Sequence, residues 1–134
     1  MRALVVDDSR VMRKIVARTL IEEGFDVVEA GDGQEALDAL ATLTAAGEVP
    51  ALACVDWNMP VMDGLSLVVE VRKQPAWRDV TLMMVTTESE HSQIVRALAA
   101  GAHEYLIKPF TAEGLREKLS LLGLLRAELD GAAW

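Results

Sequence analysis

Residues 3–24 read ALVVDDSRVMRKIVARTLIEEG and contain one complete unit of a pattern that recurs along the chain. An apolar, β-branched run at 3–6 ends at two aspartates, and apolar residues then recur at helical spacing until a glycine. Serine is preferred at helix N-caps and glycine just past helix C-termini, so Ser9 and Gly24 mark the expected start and end of the helix. The stretch therefore predicts a buried strand followed by an amphipathic helix.

The same strand–helix unit recurs four more times. Predicted strands occupy 25–30, 50–55, 80–85 and 103–108, and predicted helices occupy 32–46, 64–73, 90–100 and 111–129. Apolar strands that alternate with helices are typical of a parallel sheet covered on both faces, wound by right-handed crossovers. We expect one α/β domain over 1–129, a doubly wound five-stranded (βα)5 fold, followed by a short tail at 130–134.

The composition fits one globular domain and excludes several classes of protein. The 134 residues are 51% hydrophobic and 25% charged, with a net charge of −8. This acidic balance argues against non-specific nucleic-acid binding, which depends on neutralising phosphates with basic residues. Its longest uncharged stretch, 39–47, is far shorter than a membrane span. The single cysteine, Cys54, cannot form an internal disulfide, which favours a cytoplasmic location.

Polar side chains follow four of the five predicted strands. Asp7 and Asp8 follow the first strand, Asp56 the third, Thr86 the fourth, and Lys108 ends the fifth. Ligands of such sheets bind at the carboxyl ends of the strands, so we expect these groups to converge. Three crowded carboxylates favour a hard divalent cation such as Mg²⁺. With an ammonium and a hydroxyl nearby, the set suits phosphoryl transfer to an aspartate nucleophile.

Four segments of the sequence resemble the receiver domains of two-component response regulators, most closely the single-domain chemotaxis (CheY-like) type. These segments are VVDDSRVMRKIV at 5–16, VDWNMPVMDG at 55–64, MVTTESE at 84–90 and GAHEYLIKPFT at 101–111. The resemblance covers essentially the whole chain, and its combination of motifs is highly specific. It implies the flavodoxin-like strand order 2-1-3-4-5.

The resemblance implies a phosphoacceptor and a metal site. Asp56 is the implied phosphorylated aspartate. Asp8, Asp56 and the backbone carbonyl of Asn58 are the implied ligands of Mg²⁺, and Asp7 assists through water. Lys108 is implied to pair with the phosphoryl group.

The resemblance also implies a switch. Thr86 would hydrogen-bond a phosphoryl oxygen and draw its loop inward, and Tyr105 occupies the aromatic position that responds. Pro109 matches a proline whose preceding peptide bond is cis in the family. Asn58 and Glu88 match the positions that tune phosphoryl lifetime in the family. Thr87 departs from the family, where a smaller residue is usual at this position.

The implied partners are a histidine kinase and a downstream protein bound by the face of helix 4, strand 5 and helix 5. The last predicted helix has more leucines than a single buried face can cover. The remaining apolar surface favours a covering group, which could be a partner protein, a second copy in a phosphorylation-favoured homodimer, or a tail that folds back. The basic residues of helix 1 fit either a solvated face or a docking site for an acidic kinase surface; they are Arg10, Arg13, Lys14 and Arg18.

Other functions compete with this interpretation. The chain could be a receiver in a phosphorelay, or one excised from a longer regulator, or a pseudo-receiver scaffold that the intact acid set disfavours. A haloacid-dehalogenase-like phosphatase would carry DxD after the first strand, where this chain has Asp7, Asp8 and Ser9. A flavodoxin would need a phosphate loop there, which the acid pair would repel. The leading interpretation is a phosphorylated switch and not a conventional enzyme.

Overall fold

The computed structural model describes residues 1–87 and 91–125. Its five strands form one sheet in which every neighbouring pair is parallel, in the order β2-β1-β3-β4-β5. The strands are β1 (Arg2–Val6), β2 (Asp26–Ala30), β3 (Leu52–Val55), β4 (Thr81–Thr86) and β5 (Glu104–Ile107). The predicted doubly wound sheet and its implied strand order are both confirmed.

Five helices connect and cover the strands. They are α1 (Arg10–Glu22), α2 (Gly33–Ala45), α3 (Gly64–Arg72), α4 (His91–Ala100) and α5 (Ala112–Leu121). A short 3-10 turn at Pro75–Trp77, which the sequence pattern did not predict, follows α3. Four helices begin at a polar side chain that accepts a hydrogen bond from a backbone N–H three residues later; these residues are Ser9, Asp32, Asp63 and Thr111. Within 1–87 and 91–125, no helix has the length and apolar character needed to cross a bilayer.

The alternation of side chains along each strand divides the core into two halves. Leu4 and Val6 of β1 belong to the half that contains residues of α2, α3 and α4. Ala3 and Val5, the intervening residues, belong to the half that contains residues of α1 and α5. Both faces of the sheet are therefore covered by helices, which leaves the strand ends as the place where polar groups can collect.

The last helix is shorter than predicted. The expected helix ran to 129, but α5 ends at Leu121 because Gly123 adopts a left-handed conformation with φ of 72°. The Leu124 N–H then donates to the Leu119 carbonyl and the Gly123 N–H to the Ser120 carbonyl, the hydrogen bonds of a Schellman motif. Leu124 consequently packs back on the core instead of extending the helix, and Leu125 does the same. The tail at 130–134 lies outside the described residues.

Candidate functional site

Three carboxylates meet at the carboxyl ends of two neighbouring strands. Asp7 follows β1 and Asp56 follows β3, and each backbone N–H continues the sheet by donating to the adjacent strand's end, at 3.1 Å and 2.9 Å. Asp7, Asp8 and Asp56 each offer an oxygen within 4.8 Å of the others. Asp7 and Asp56 are buried, whereas Asp8 is exposed. The predicted convergence of these three acids is observed.

A single ammonium from β5's end contacts two of these acids. Lys108 Nζ lies 2.6 Å from Asp7 Oδ2 and 3.5 Å from Asp56 Oδ2. The Lys108 side chain is 9% exposed, so solvent screens these attractions weakly. The Lys108–Pro109 peptide bond is cis, as the resemblance implies.

Two further contacts hold the Asp56 carboxylate. The backbone N–H of Trp57 donates to Asp56 Oδ1 at 2.8 Å, and the Thr86 side chain, itself fully buried, hydrogen-bonds the same carboxylate. Burial raises the pKa of Asp56 above its ordinary value, and Lys108 opposes that rise more than the other groups do. The two hydrogen bonds thus fix the orientation of the carboxylate, while Lys108 offsets only part of the cost of burying its negative charge.

The loop after β3 passes very close to Asp56. The Gly64 N–H donates to the Trp57 carbonyl at 2.7 Å, and a Cβ at Gly64 would overlap the Asp56 carbonyl oxygen. Only glycine allows this approach. Within the same loop Val61 has φ of 68°, a left-handed conformation that is strained for a β-branched residue. The segment at 59–64 therefore turns tightly beside the Asp56 backbone, at some cost in backbone energy.

The acid set fits a hard divalent cation. Two buried carboxylates and one exposed carboxylate provide oxygen donors at short mutual distance, and Mg²⁺ prefers such donors together with water. Asp7 is already engaged, because its Oδ1 accepts from the Ser9 N–H at 2.8 Å and its Oδ2 accepts from Lys108. Asp8 is the exposed member of the set, so an ion can reach it from solvent.

The remaining predicted residues differ in burial. Tyr105 is buried, at 7% exposed, in the core half that contains α4. Asn58 and Thr87 are exposed. Glu88, expected to influence phosphoryl lifetime, lies outside the described residues.

Two contacts at the site were not predicted from the sequence. Arg13, interpreted as part of a basic helix face, donates its Nη1 to the Asp7 carbonyl at 2.8 Å. The guanidinium of Arg96 on α4 lies 5.9 Å from the ring centroid of Trp57. The available sequence signal was a charged residue six positions after Asp7, about one turn into the helix that follows it.

The expected output face carries exposed apolar side chains. Val95 and Leu98 on α4 and Ile107 on β5 are 48%, 43% and 41% exposed. On α5, Leu121 is 74% exposed, but Leu124 and Leu125 contact the protein's own core. The apolar surplus expected on the last helix is therefore smaller than the sequence suggested.

Comparison with known proteins agrees with this geometry. Residues 3–120 match the response regulator receiver domain family. A chemotaxis protein CheY homolog of Campylobacter jejuni is 47% identical over 120 residues, which is 89% of each chain. Chemotaxis protein CheY1 of Helicobacter pylori is 42% identical over 123 residues, covering 91% of this chain and 96% of that one.

Solved structures agree as well. The structure of chemotaxis response regulator CheY4 of Vibrio cholerae matches with a TM-score of 0.79 at 36% identity, over 90% of this chain and 96% of that chain. These matches do not support the haloacid-dehalogenase alternative. The chain belongs to the response regulator receiver domain family, and it is a phosphoacceptor switch of two-component signalling.

Proposed function

We propose that this protein accepts a phosphoryl group on Asp56 from a histidine kinase and then changes its affinity for a downstream protein in chemotaxis. The observation that carries the proposal is the environment of Asp56, whose carboxylate contacts both Lys108 and Thr86 beside two further acids. The chemotaxis names of its relatives support the pathway. The free, buried thiol of Cys54 supports action in the reducing cytoplasm.

In the proposed transfer, an Asp56 oxygen attacks the phosphorus of a phosphohistidine. The new O–P bond forms while the N–P bond breaks, and the electron pair of that bond returns to the imidazole. Lys108, 3.5 Å from Asp56 Oδ2, is close enough to pair with the incoming phosphoryl oxygens. Such transfers depend mainly on positioning and on neutralising charge, which are the contributions this site can make.

The proposed metal ligands are Asp8, Asp56 and the backbone carbonyl of Asn58, with Asp7 acting through water. Asp7 suits that indirect role because Ser9 and Lys108 already occupy its oxygens. When bound, Mg²⁺ would neutralise negative charge on the carboxylates and on the transferred group. The chain's own residues hold and orient the acids.

The proposed switch connects Asp56 to the output face through Thr86 and Tyr105. Thr86 already hydrogen-bonds the Asp56 carboxylate, so adding a phosphoryl group there must change that contact. Thr86 ends β4, and Tyr105 pairs with Met84 of the same strand in the sheet. A rearrangement at Thr86 would thereby reach α4, β5 and α5, whose exposed apolar residues suit a partner protein.

A homodimer through the same face is the competing mode of output. The exposed Leu121 is the described α5 leucine most available for it. Sedimentation with and without a small acyl phosphate distinguishes the two, because a homodimer gains mass without any added protein.

Labelling by a phosphorylated kinase or by acetyl phosphate tests the phosphoacceptor. Asp56→Asn keeps the shape of the side chain and removes its nucleophilic charge, so labelling should be abolished. Asp79→Asn, the same change at an exposed position, should be labelled as the wild type is. Full labelling of Asp56→Asn would move the acceptor to another acid, with Asp8 the nearest exposed candidate.

A further inference from the structure

A side chain from α1 fixes the main chain between the two adjacent acids. Arg13 Nη1 donates to the Asp7 carbonyl oxygen at 2.8 Å, and Arg13 Nε pairs with Glu29 Oε1 at 3.2 Å. The Arg13 side chain is 19% exposed, so water competes weakly for these bonds. Arg13 therefore ties α1 and β2 to the turn that carries both acids.

The Asp7 carbonyl belongs to the peptide unit that leads into Asp8. That unit is planar, so holding the carbonyl also fixes the nitrogen and the Cα atom of Asp8. The rest of Asp7 is held by its backbone N–H to Ala30 and by its carboxylate to Ser9 and Lys108. Because Asp8 is exposed, the direction of its carboxylate depends on this backbone more than on packing.

We propose that Arg13 is a positioning residue for the metal site, which aims the Asp8 carboxylate at the space shared with Asp56. The inference rests on the proposed function, in which these acids hold Mg²⁺. Arg13 itself does not touch the ion. Its contribution is the geometry of the Asp7–Asp8 peptide unit.

Positioning and charge have opposite effects at this site, which makes the proposal testable. A cation near a cation-binding site weakens binding by Coulomb repulsion, so removing charge alone would strengthen Mg²⁺ binding. Removing a positioning hydrogen bond would weaken it. Lys14 offers a matched control, because its Nζ pairs with the same Glu29 at 2.7 Å, while its bond goes to that carboxylate and not to the Asp7 carbonyl.

Calorimetric titration of the full chain with Mg²⁺ alone measures the effect. We expect Arg13→Gln to weaken Mg²⁺ binding about tenfold, a usual cost of losing a group that orients a ligand. Lys14→Gln should bind Mg²⁺ as tightly as the wild type or more tightly. Arg13→Lys keeps the charge but not the planar fork, so it should also bind more weakly than the wild type.

Arg13→Gln that binds Mg²⁺ as tightly as the wild type would overturn the positioning role, and so would an equal loss in Lys14→Gln. Thermal unfolding checks that each variant is folded. If Arg13→Gln is not folded, Arg13→Lys provides the test. A loss of Mg²⁺ affinity of about threefold or more in that variant supports the positioning role, and an unchanged affinity contradicts it. A wild-type chain that takes up neither Mg²⁺ nor a phosphoryl label would instead overturn the proposed function.

Discussion

Lys108 Nζ lies 2.6 Å from Asp7 Oδ2, and the two side chains are only 9% and 4% exposed. The same ammonium is 3.5 Å from Asp56 Oδ2. One cation from the end of the sheet's fifth strand thus compensates two buried carboxylates from two other strands. Removing it would leave both acids in a poorly solvated place with their mutual repulsion uncompensated.

We therefore expect Lys108→Met to lower the free energy of unfolding by about 3 kcal/mol when divalent ions are absent. Saturating Mg²⁺ should restore part of this loss, because a bound cation supplies charge to the same carboxylates. Urea unfolding in EDTA and in Mg²⁺ measures both effects.

The matched control is Lys118→Met. Lys118 Nζ pairs with Glu104 Oε1 at 3.0 Å, but these side chains are 29% and 24% exposed, so the expected loss is under about 1 kcal/mol. Equal losses in the two variants would contradict the special role of the buried contact.

The ionised carboxylate of Asp56 should lower the free energy of unfolding at neutral pH. Burial raises the pKa of Asp56 above its ordinary value of 3.8, despite the opposing charge of Lys108. Folding therefore favours the protonated acid, and the ionised form costs stability at higher pH. Without Mg²⁺, Asp56→Asn should be more stable than the wild type at pH 7.

The advantage of Asp56→Asn should shrink as the pH falls through the folded-state pKa and vanish below the ordinary value. Urea midpoints from pH 4 to pH 8 follow this change. A variant less stable than the wild type at pH 7 would mean that the contacts of the carboxylate outweigh its burial.

The sequence was sufficient to predict the parts of this protein that depend on local pattern. Apolar runs predicted the strands, and Ser9, Asp32 and Thr111 mark helix starts that the structure has. The rule that ligand-binding groups collect at the carboxyl ends of parallel strands predicted that Asp7 and Asp56 lie close together. These features follow from properties of neighbouring residues.

The parts that could not be predicted depend on three-dimensional contacts. The early end of α5 needed the left-handed Gly123 and a place on the core for Leu124, whereas helical periodicity continues past both. Arg13 was interpreted as one residue of a basic helix face, either solvated or docking a kinase, since its position one turn into α1 does not by itself show that its guanidinium reaches the Asp7 carbonyl. Likewise, Tyr105 is buried although its strand lies at the edge of the sheet.

Thr87 should lengthen the life of the phosphorylated state. It follows Thr86, whose side chain hydrogen-bonds the Asp56 carboxylate, and it is exposed. We propose that its methyl group hinders the water that attacks the phosphoryl group. We expect Thr87→Ala to shorten the phosphoryl lifetime by about threefold, which is less than the tenfold given by 1.4 kcal/mol of barrier. Loss of label after removal of the donor measures the lifetime.

Thr87→Val separates the methyl group from the hydroxyl, because it keeps the branched shape and the methyl group and replaces the hydroxyl with a second methyl group. Its lifetime should equal that of the wild type. A lifetime that is unchanged or longer in Thr87→Ala would reject shielding by the methyl group.

Val61 stores strain in the loop above the site. Its φ of 68° costs an L-residue roughly 1–2 kcal/mol, and its side chain is 82% exposed, so packing returns little. Val61→Asn should raise the free energy of unfolding by about 1 kcal/mol, because asparagine tolerates this conformation. The same substitution at Val49, exposed but outside the left-handed region, should change it by less than about 0.5 kcal/mol. A gain at Val49 as large as at Val61 would contradict relief of strain.

His103 couples stability to pH at the opposite end of the sheet. Its Nδ1 accepts from the Leu82 N–H at 3.1 Å and lies 3.3 Å from Arg72 Nη2. Both contacts require an unprotonated Nδ1. Partial burial lowers the pKa of His103 below its ordinary value of 6.5, and the charge of Arg72 lowers it further.

Because the unfolded chain takes up this proton at higher pH than the folded chain does, the contribution of His103 is complete above about pH 6.5 and declines as the pH falls below it. His103→Asn keeps a neutral acceptor close to the Nδ1 position. The wild type should therefore lose stability relative to His103→Asn between pH 7.5 and pH 5, a range set about the ordinary value. Urea midpoints across that range measure the difference. A constant gap between the two proteins would show that Nδ1 does not titrate against these partners.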